Sequence, residues 1–220
     1  MKRTTLIVSL LVGIALCGLT LSAQAAPSLR GFTGLLLTPT ADTLGAKDYN
    51  LAFFALDADE GIDTTTWAGN LGLPAGLEAG IAIIDPDNAS NETLINAKYR
   101  IRSESARRPA LAVGVFDLTD EIDATTYFVA SKSLPKLLKE SAEEVVAPAF
   151  HVGIGGGALD GIFAGFSLTL LNKLTVMVEY DTDNTNFGAT LPVGRGLLVH
   201  GGWINDLDDI AVGLSYTEVF

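Results

Sequence analysis

From Tyr49 to the C-terminus, apolar side chains recur at every second position in units of about ten residues, each unit closed by a few turn-forming residues. A period of two sends successive side chains to opposite faces of an extended strand. Leu174, Val176, Val178 and Tyr180 share one face, with Thr175, Met177 and Glu179 on the other. The same alternation sets Ile162, Ala164, Phe166, Leu168 and Leu170 against Gly165, Ser167 and Thr169. It also sets Leu77, Ala79, Ile81 and Ile83 against Glu78 and Gly80, and Ile95, Ala97, Tyr99 and Ile101 against Asn96, Lys98, Arg100 and Arg102.

Twelve such units are predicted, over 48–57, 63–73, 76–85, 92–103, 109–118, 123–134, 148–156, 161–171, 173–182, 184–193, 196–205 and 209–219. Units of this length exceed the mode of about five or six residues for globular strands, and they match a bilayer crossed at a tilt. The expectation is an all-β antiparallel up-and-down transmembrane barrel, with both chain ends on one side because the strand number is even. Two segments depart from the rhythm. Residues 136–145 are rich in helix formers and predict a short amphipathic helix between strands six and seven. Gly31 to Lys47, broken at Thr38-Pro39-Thr40, leads into the barrel or tucks into its mouth.

Residues 1–25 read as a signal peptide: basic Lys2 and Arg3, an apolar run from Leu6 to Leu21, and the small-x-small sequence Ala23-Gln24-Ala25. Cleavage would leave Ala26 as the first residue, followed by a lead-in over 26–47 and a barrel domain over 48–220. The apolar run is shorter than the ~20 residues that span a bilayer as a helix. Cys17 raises the alternative of lipidation, against which Leu16 argues, since a small residue is usual there. No other cysteine exists, so the mature chain has neither disulfides nor a thiolate site. Composition is 48% hydrophobic with mean hydropathy +0.35, dispersed rather than gathered into an apolar helix. A net charge of -12 disfavours nucleic acid as a partner, because a phosphate backbone would be repelled.

That charge is unevenly placed. If strands alternate in direction, every second connection lies on one rim, and those connections hold Asp57, Asp59, Glu60, Asp63, Asp85, Asp87, Glu92, Asp117, Asp120, Glu121, Asp123, Asp160, Asp181, Asp183, Asp206, Asp208 and Asp209. These are 17 of the 26 acidic residues, with no lysine or arginine among them. The other connections include Arg107, Arg108, Lys132, Lys136, Lys139, Lys173 and Arg195. Asp favours turns in general, but that preference does not confine it to alternate turns. The separation therefore supports the strand count and the topology together, with the acidic rim facing outward if the chain ends are periplasmic.

Candidate chemistry is sparse. Solvated rim pairs such as Asp208 and Asp209 lack the burial a catalytic acid needs, and no nucleophilic triad is indicated, so no enzyme and no cofactor is expected. Asp181, Asp183, Asp206 and Asp208 are weak candidates for cations at the rim, where oxygen ligands suit calcium or magnesium. The histidines, His151 and His200, are read as hydrogen-bonded lumen residues rather than a metal pair. Glu78, Lys98, Arg100, Arg102 and Glu179 are placed in the lumen, since a charge on the lipid face costs ~2 to 4 kcal/mol near the midplane. They form either a structural charge ladder or a selectivity-setting pore lining. Gly155-Gly156-Gly157 reads as a tight hairpin tip. Trp67, Tyr99, Tyr127, Tyr180, Trp203 and Tyr216 are expected in interfacial girdles, with a few inside the lumen.

Two features carry family resemblances. Val212 to Phe220 resembles the C-terminal assembly signal of outer-membrane proteins through Gly213, Tyr216 and the terminal Phe220, although Glu218 stands where an apolar residue is usual. The run Gly31-Phe32-Thr33-Gly34-Leu35-Leu36-Leu37-Thr38-Pro39-Thr40-Ala41, together with Val178-Glu179-Tyr180-Asp181 leading into Asn186-Phe187-Gly188, is similar to the YjbH-like outer-membrane proteins associated with exopolysaccharide. The resemblance implies an accessory or export role for a surface polysaccharide. It also implies outer-membrane lipid, lipopolysaccharide, the barrel-assembly machinery, and polysaccharide or secretion proteins as partners. A small porin-like channel and a soluble β-sandwich binding protein are the alternatives from other classes.

Overall fold

The computed structural model describes residues 25–59, 62–134, 146–171 and 173–220. Twelve strands follow in order: β1 (Tyr49–Asp57), β2 (Thr64–Leu73), β3 (Leu77–Pro86), β4 (Glu92–Arg102), β5 (Ala110–Phe116), β6 (Thr125–Ser133), β7 (Val146–Gly155), β8 (Gly161–Leu170), β9 (Leu174–Tyr180), β10 (Thr185–Pro192), β11 (Leu197–Ile204) and β12 (Asp209–Glu218). Each strand pairs antiparallel with its neighbours in sequence, and β1 pairs with β12, from Tyr49 opposite Glu218 to Asp57 opposite Ile210, to close the barrel. Closure leaves no edge, so every strand's backbone donors and acceptors find partners on both sides. The strand bounds agree with the period-two reading to within two residues at each end.

Among the described residues the only helical turns are three single 3-10 turns in connections, and no helix is long and apolar enough to cross a membrane. The expected leader, Cys17 and the expected helix at 136–145 fall outside the described residues. Gly157 adopts φ +71 in the β7–β8 connection, so the triple-glycine tip needs its glycine there, where a side chain would be strained.

The barrel's outer face is apolar, and its interior holds both an apolar cluster, with Phe54, Leu94, Phe116, Val129 and Phe163 from the wall, and buried polar and charged groups. Leu51, Ile81, Ile83, Ile95, Val152, Ile162 and Val212 point outward and are exposed, while Asn50, Asn70, Glu78, Asn96, Lys98 and Glu179 face the lumen and are buried. Trp67, Tyr99, Tyr180 and Trp203 are also exposed on the outer surface. Tyr127 is the exception to the girdle expectation: it lies inside, in the register row of Thr125, Val129 and Ser131. In Thr125–Ser133 neither face is cleanly apolar, so alternation alone did not fix which side Tyr127 would take. Alternating connections place the acid-rich loops on the rim opposite the chain ends, as the charge pattern required.

Residues 26–47 do more than tuck into the mouth. They run through the lumen as an irregular plug whose Phe32, Leu35, Leu36, Leu37, Ala41 and Leu44 are buried. Its backbone–backbone hydrogen bonds are mostly internal turns, such as Ser28 N to Phe32 O, Leu29 N to Leu36 O and Leu35 N to Thr38 O. The wall makes room for it with small residues. Ideal Cβ atoms placed on Gly188 and Gly202 would stand 2.6 and 2.7 Å from the Leu36 Cδ1 atom, and one on Gly165 would collide with Leu35.

Gly188→Val should therefore leave the barrel folded but drive Leu36 from its seat. The expected outcome is unchanged heat-modifiable migration on electrophoresis, with new protease cleavage within residues 26–47. A plug that stays protected would show that the wall can move aside.

Candidate functional site: the lumen and its plug

Three charged wall residues hold the plug, each from a different strand. Glu78 on β3 is 3% exposed. Its carboxylate accepts from the Thr33 hydroxyl at 2.8 Å and from the Leu44 amide at 2.9 Å. Lys98 on β4, 2% exposed, donates to the Thr33 carbonyl and hydroxyl and, at 3.1 Å, to the Asp42 carbonyl. Glu179 on β9, 2% exposed, accepts from the Leu37 amide at 2.7 Å, the Thr38 amide at 3.2 Å and the Thr38 hydroxyl at 2.7 Å. Ser131 accepts from the Ala41 amide at 2.8 Å, and Asn96 donates to the Arg30 carbonyl at 3.3 Å.

This arrangement accounts for the plug's irregular backbone. A buried chain without sheet or helix leaves amides and carbonyls that cost free energy unless paired. The wall charges pair with those groups, and charge-assisted hydrogen bonds are about twice as strong as neutral ones. Glu78 and Lys98 stand directly opposite in the β3–β4 register, but no direct ion pair joins them; Thr33 bridges the two. Arg30, carried by the plug, donates to the Ala158 carbonyl at 3.3 Å and lies 5.9 Å from the Phe116 ring centre. Burial lowers its pKa, against the opposing pull of Asp181, Glu179 and Asp183. Two buried carboxylates thus face two cations, Lys98 and Arg30. Phe32 packs between Phe116, edge-on at 5.7 Å, and Tyr127 at 6.0 Å.

Of the five lumen candidates, Glu78, Lys98 and Glu179 converge on the plug. Arg100 and Arg102 share their face of β4 but lie half-buried at its chain-end side, with the Arg102 Nε donating to the Pro109 carbonyl at 3.2 Å. Of the rim candidates, Asp181 and Asp206 are engaged by the chain itself, while Asp183 and Asp208 are exposed. Asp181 accepts from the Asn184 amide at 2.9 Å and from Asn186 at 3.1 Å, and Asp206 accepts from the Thr185 amide at 2.8 Å. Among the described residues no group of three or more His, Asp or Glu side chains is placed to hold a metal ion. At the C-terminus, Gly213 makes room for Phe54 inside the barrel, Tyr216 lies 6.4 Å from Tyr49, and Phe220 extends beyond β12 with its amide donating to Asp48.

His151 and His200 are both buried in the lumen on strands β7 and β11. The His151 ring lies 2.8 Å from the Ser131 hydroxyl and 3.4 Å from that of Ser167; the His200 ring lies 3.2 Å from Thr190 and 2.7 Å from Ser215. Reading the sequence missed the plug's own contributors, Arg30, Thr33 and Thr38. The inward glycines Gly165, Gly188 and Gly202 were the available signal, since a lumen filled by wall side chains alone has no use for them.

On the acidic rim, Asp117 leaves the barrel after β5 and folds its loop around its own carboxylate. It accepts from the amides of Ile122 at 2.7 Å, Asp123 at 3.0 Å and Glu121 at 3.1 Å, and from the Thr119 hydroxyl at 2.8 Å. Burial pushes this carboxyl upward, but the hydrogen bonds to Ile122, Glu121, Thr119 and Asp123 outweigh it and leave the pKa below its ordinary value.

No family model and no curated protein matches the chain. Solved structures do. One titled "KdgM porin" superimposes with TM-score 0.52 at 12% identity, covering 76% of this chain and 98% of its own. Another, "KdgM porin in complex with disordered oligogalacturonate", gives TM-score 0.51 at 10% identity, covering 78% and 99%. At these identities the likeness is one of fold, a closed antiparallel barrel of twelve strands.

Lys98→Met, which removes the ammonium donor to Thr33 and the Asp42 carbonyl, should weaken plug docking by about 1.5–3 kcal/mol. Glu78→Gln combined with Lys98→Met should cost less than the sum of the two single changes, as read by hydrogen exchange of the Leu29 to Leu44 amides. A folded-state pKa held low gives Asp117 a stabilising contribution that is present above its unfolded value of about 3.9 and lost as pH falls through the folded value. Protection of amides 121–123 should therefore collapse below that window. Asp117→Asn should reduce it about 10- to 100-fold at neutral pH.

Proposed function

We propose that the chain is an outer-membrane β-barrel of the porin-like kind, whose passage is closed by its own residues 26–47. The observation that carries this reading is the apolar, exposed outer belt of a closed barrel whose interior buries charged and hydroxylated residues beside an apolar cluster. Hydrocarbon is the surrounding that makes such a belt favourable, and only a closed barrel satisfies strand hydrogen bonds there. The porin titles borne by structures of the same fold support the channel reading over the other classes. With the chain ends on the periplasmic side, the acidic rim faces outward toward lipopolysaccharide and its cations. The run Gly213, Tyr216 and Phe220 serves recognition by the barrel-assembly machinery.

A second reading, favoured by the filled lumen, is the accessory role in exopolysaccharide export that the YjbH-like resemblance implies. A plugged barrel can anchor secretion partners without conducting.

Conductance separates the two. The full mature chain in planar bilayers should stay closed, and a variant lacking residues 27–44 should show a stable open state. If the deletion variant folds by heat-modifiable migration yet remains non-conducting, the channel reading fails. Loss of surface polymer from a deletion strain would then establish the accessory role. Membrane fractionation should find the protein in the outer membrane; recovery in the soluble periplasm would overturn both readings.

A further inference from the structure

The plug leaves part of the lumen unfilled. Its fixed points, Glu78, Lys98, Asn96 and Glu179, lie on β3, β4 and β9. Between the level of Glu179 and the chain-end rim lies a cavity of about 650 Å³, within the range of about 300–1,000 Å³ usual for small-molecule sites. Its inner end is closed by Leu35 and Leu36 of the plug, and Lys173 and Pro192 stand at its outer end. It is therefore a dead-end vestibule facing the side of the chain ends.

The vestibule's wall is a run of hydroxyls and imidazoles carried on consecutive strands. Ser131, His151 and Ser167 are linked across β6, β7 and β8. Thr169 and Thr175 are 2.9 Å apart across β8 and β9, and Thr190 meets His200 across β10 and β11. Both nitrogens of each imidazole are taken, and Ser131 also accepts from the Ala41 amide, but Ser167, Thr169, Thr175 and Thr190 each make one internal contact, and a hydroxyl with one donor and two acceptor lone pairs keeps capacity for another. Apolar surface comes from Leu29, Leu35 and Leu36 of the plug and Phe54 of β1, and within the arc itself from Met177 on β9 and Leu198 on β11. The charged residues on the lining balance: Asp42 and Glu104 against Lys132 and Lys173, with Glu104 and Lys132 paired at 2.7 Å.

We propose that this vestibule binds a neutral, polyhydroxylated ligand, a short saccharide, entering from the side of the chain ends. A sugar presents hydroxyl edges that both donate and accept, and C–H faces that seek apolar surface; the lining offers both kinds of contact side by side. Among the described residues the lining carries no net charge, which gives an anionic saccharide no electrostatic advantage. The site depends on the barrel and its seated plug and not on conduction, so it stands whether or not the protein forms a channel.

The test uses the full mature chain in nanodiscs, with maltotriose as the neutral probe and trigalacturonate as the anionic one. Saturation-transfer NMR should detect maltotriose on the wild-type protein. Ser167→Val and Thr175→Val should each weaken it about tenfold, the loss of one hydrogen bond. Ser167→Thr, which keeps the hydroxyl, should restore binding, and heat-modifiable migration verifies folding throughout. The proposal is overturned if maltotriose gives no transfer to folded wild-type protein, if both valine variants bind it as well as wild type does, or if trigalacturonate binds more tightly than maltotriose.

Discussion

The pairing of β1 with β12 is the contact on which the rest of the molecule depends. Until it forms, the sheet has two edges whose amides and carbonyls have no partner. Once it forms, the sheet encloses a space lined by alternate residues of every strand. Phe54, Leu94, Phe116, Val129, Phe163 and Ile204 begin an apolar core there, but the wall residues between them are too small or too polar to complete one. Gly165, Gly188, Gly202, Asn50, Asn70 and Asn96 leave room and hydrogen-bonding capacity together. The chain fills much of that space with its own N-terminal segment, so the plug is a consequence of closure rather than an appendage to it.

The buried charges follow the same logic. A carboxylate inside a barrel is costly unless donors surround it, and the plug's unpaired amides are equally costly unless acceptors do. Glu78 and Glu179 meet Thr33, Leu37, Thr38 and Leu44 so that each group offsets the desolvation of the other. Neither a ladder across strands nor an open pore lining describes them. The wall charges act as a receptor for backbone.

Strand number, rim polarity and inward placement of Glu78, Lys98 and Glu179 were legible in the sequence because they are local consequences of a period of two. Thr175, Met177 and Glu179 declare their face through neighbours two residues away. What those charges touch was not legible: Leu37 and Glu179 are separated by 142 positions, and Thr33 and Glu78 by 45. Nothing periodic marks such pairs. The plug's Leu35-Leu36-Leu37 run carries no alternation, so an apolar segment destined for a polar cavity resembled an ordinary lead-in. Which of the aromatic candidates would turn into the lumen was not legible for a related reason: Tyr127 does so, while Phe128 beside it points outward.

The plug and the wall belong to one polypeptide, and only Gly45 to Asp48 separate Leu44, seated against Glu78, from the first residue of β1. So short a tether holds the segment at an effective concentration in the millimolar range or above. Any free molecule that displaced it would be competing with an occupant that cannot diffuse away. Each departure would end in recapture unless the competitor were abundant or the tether were pulled.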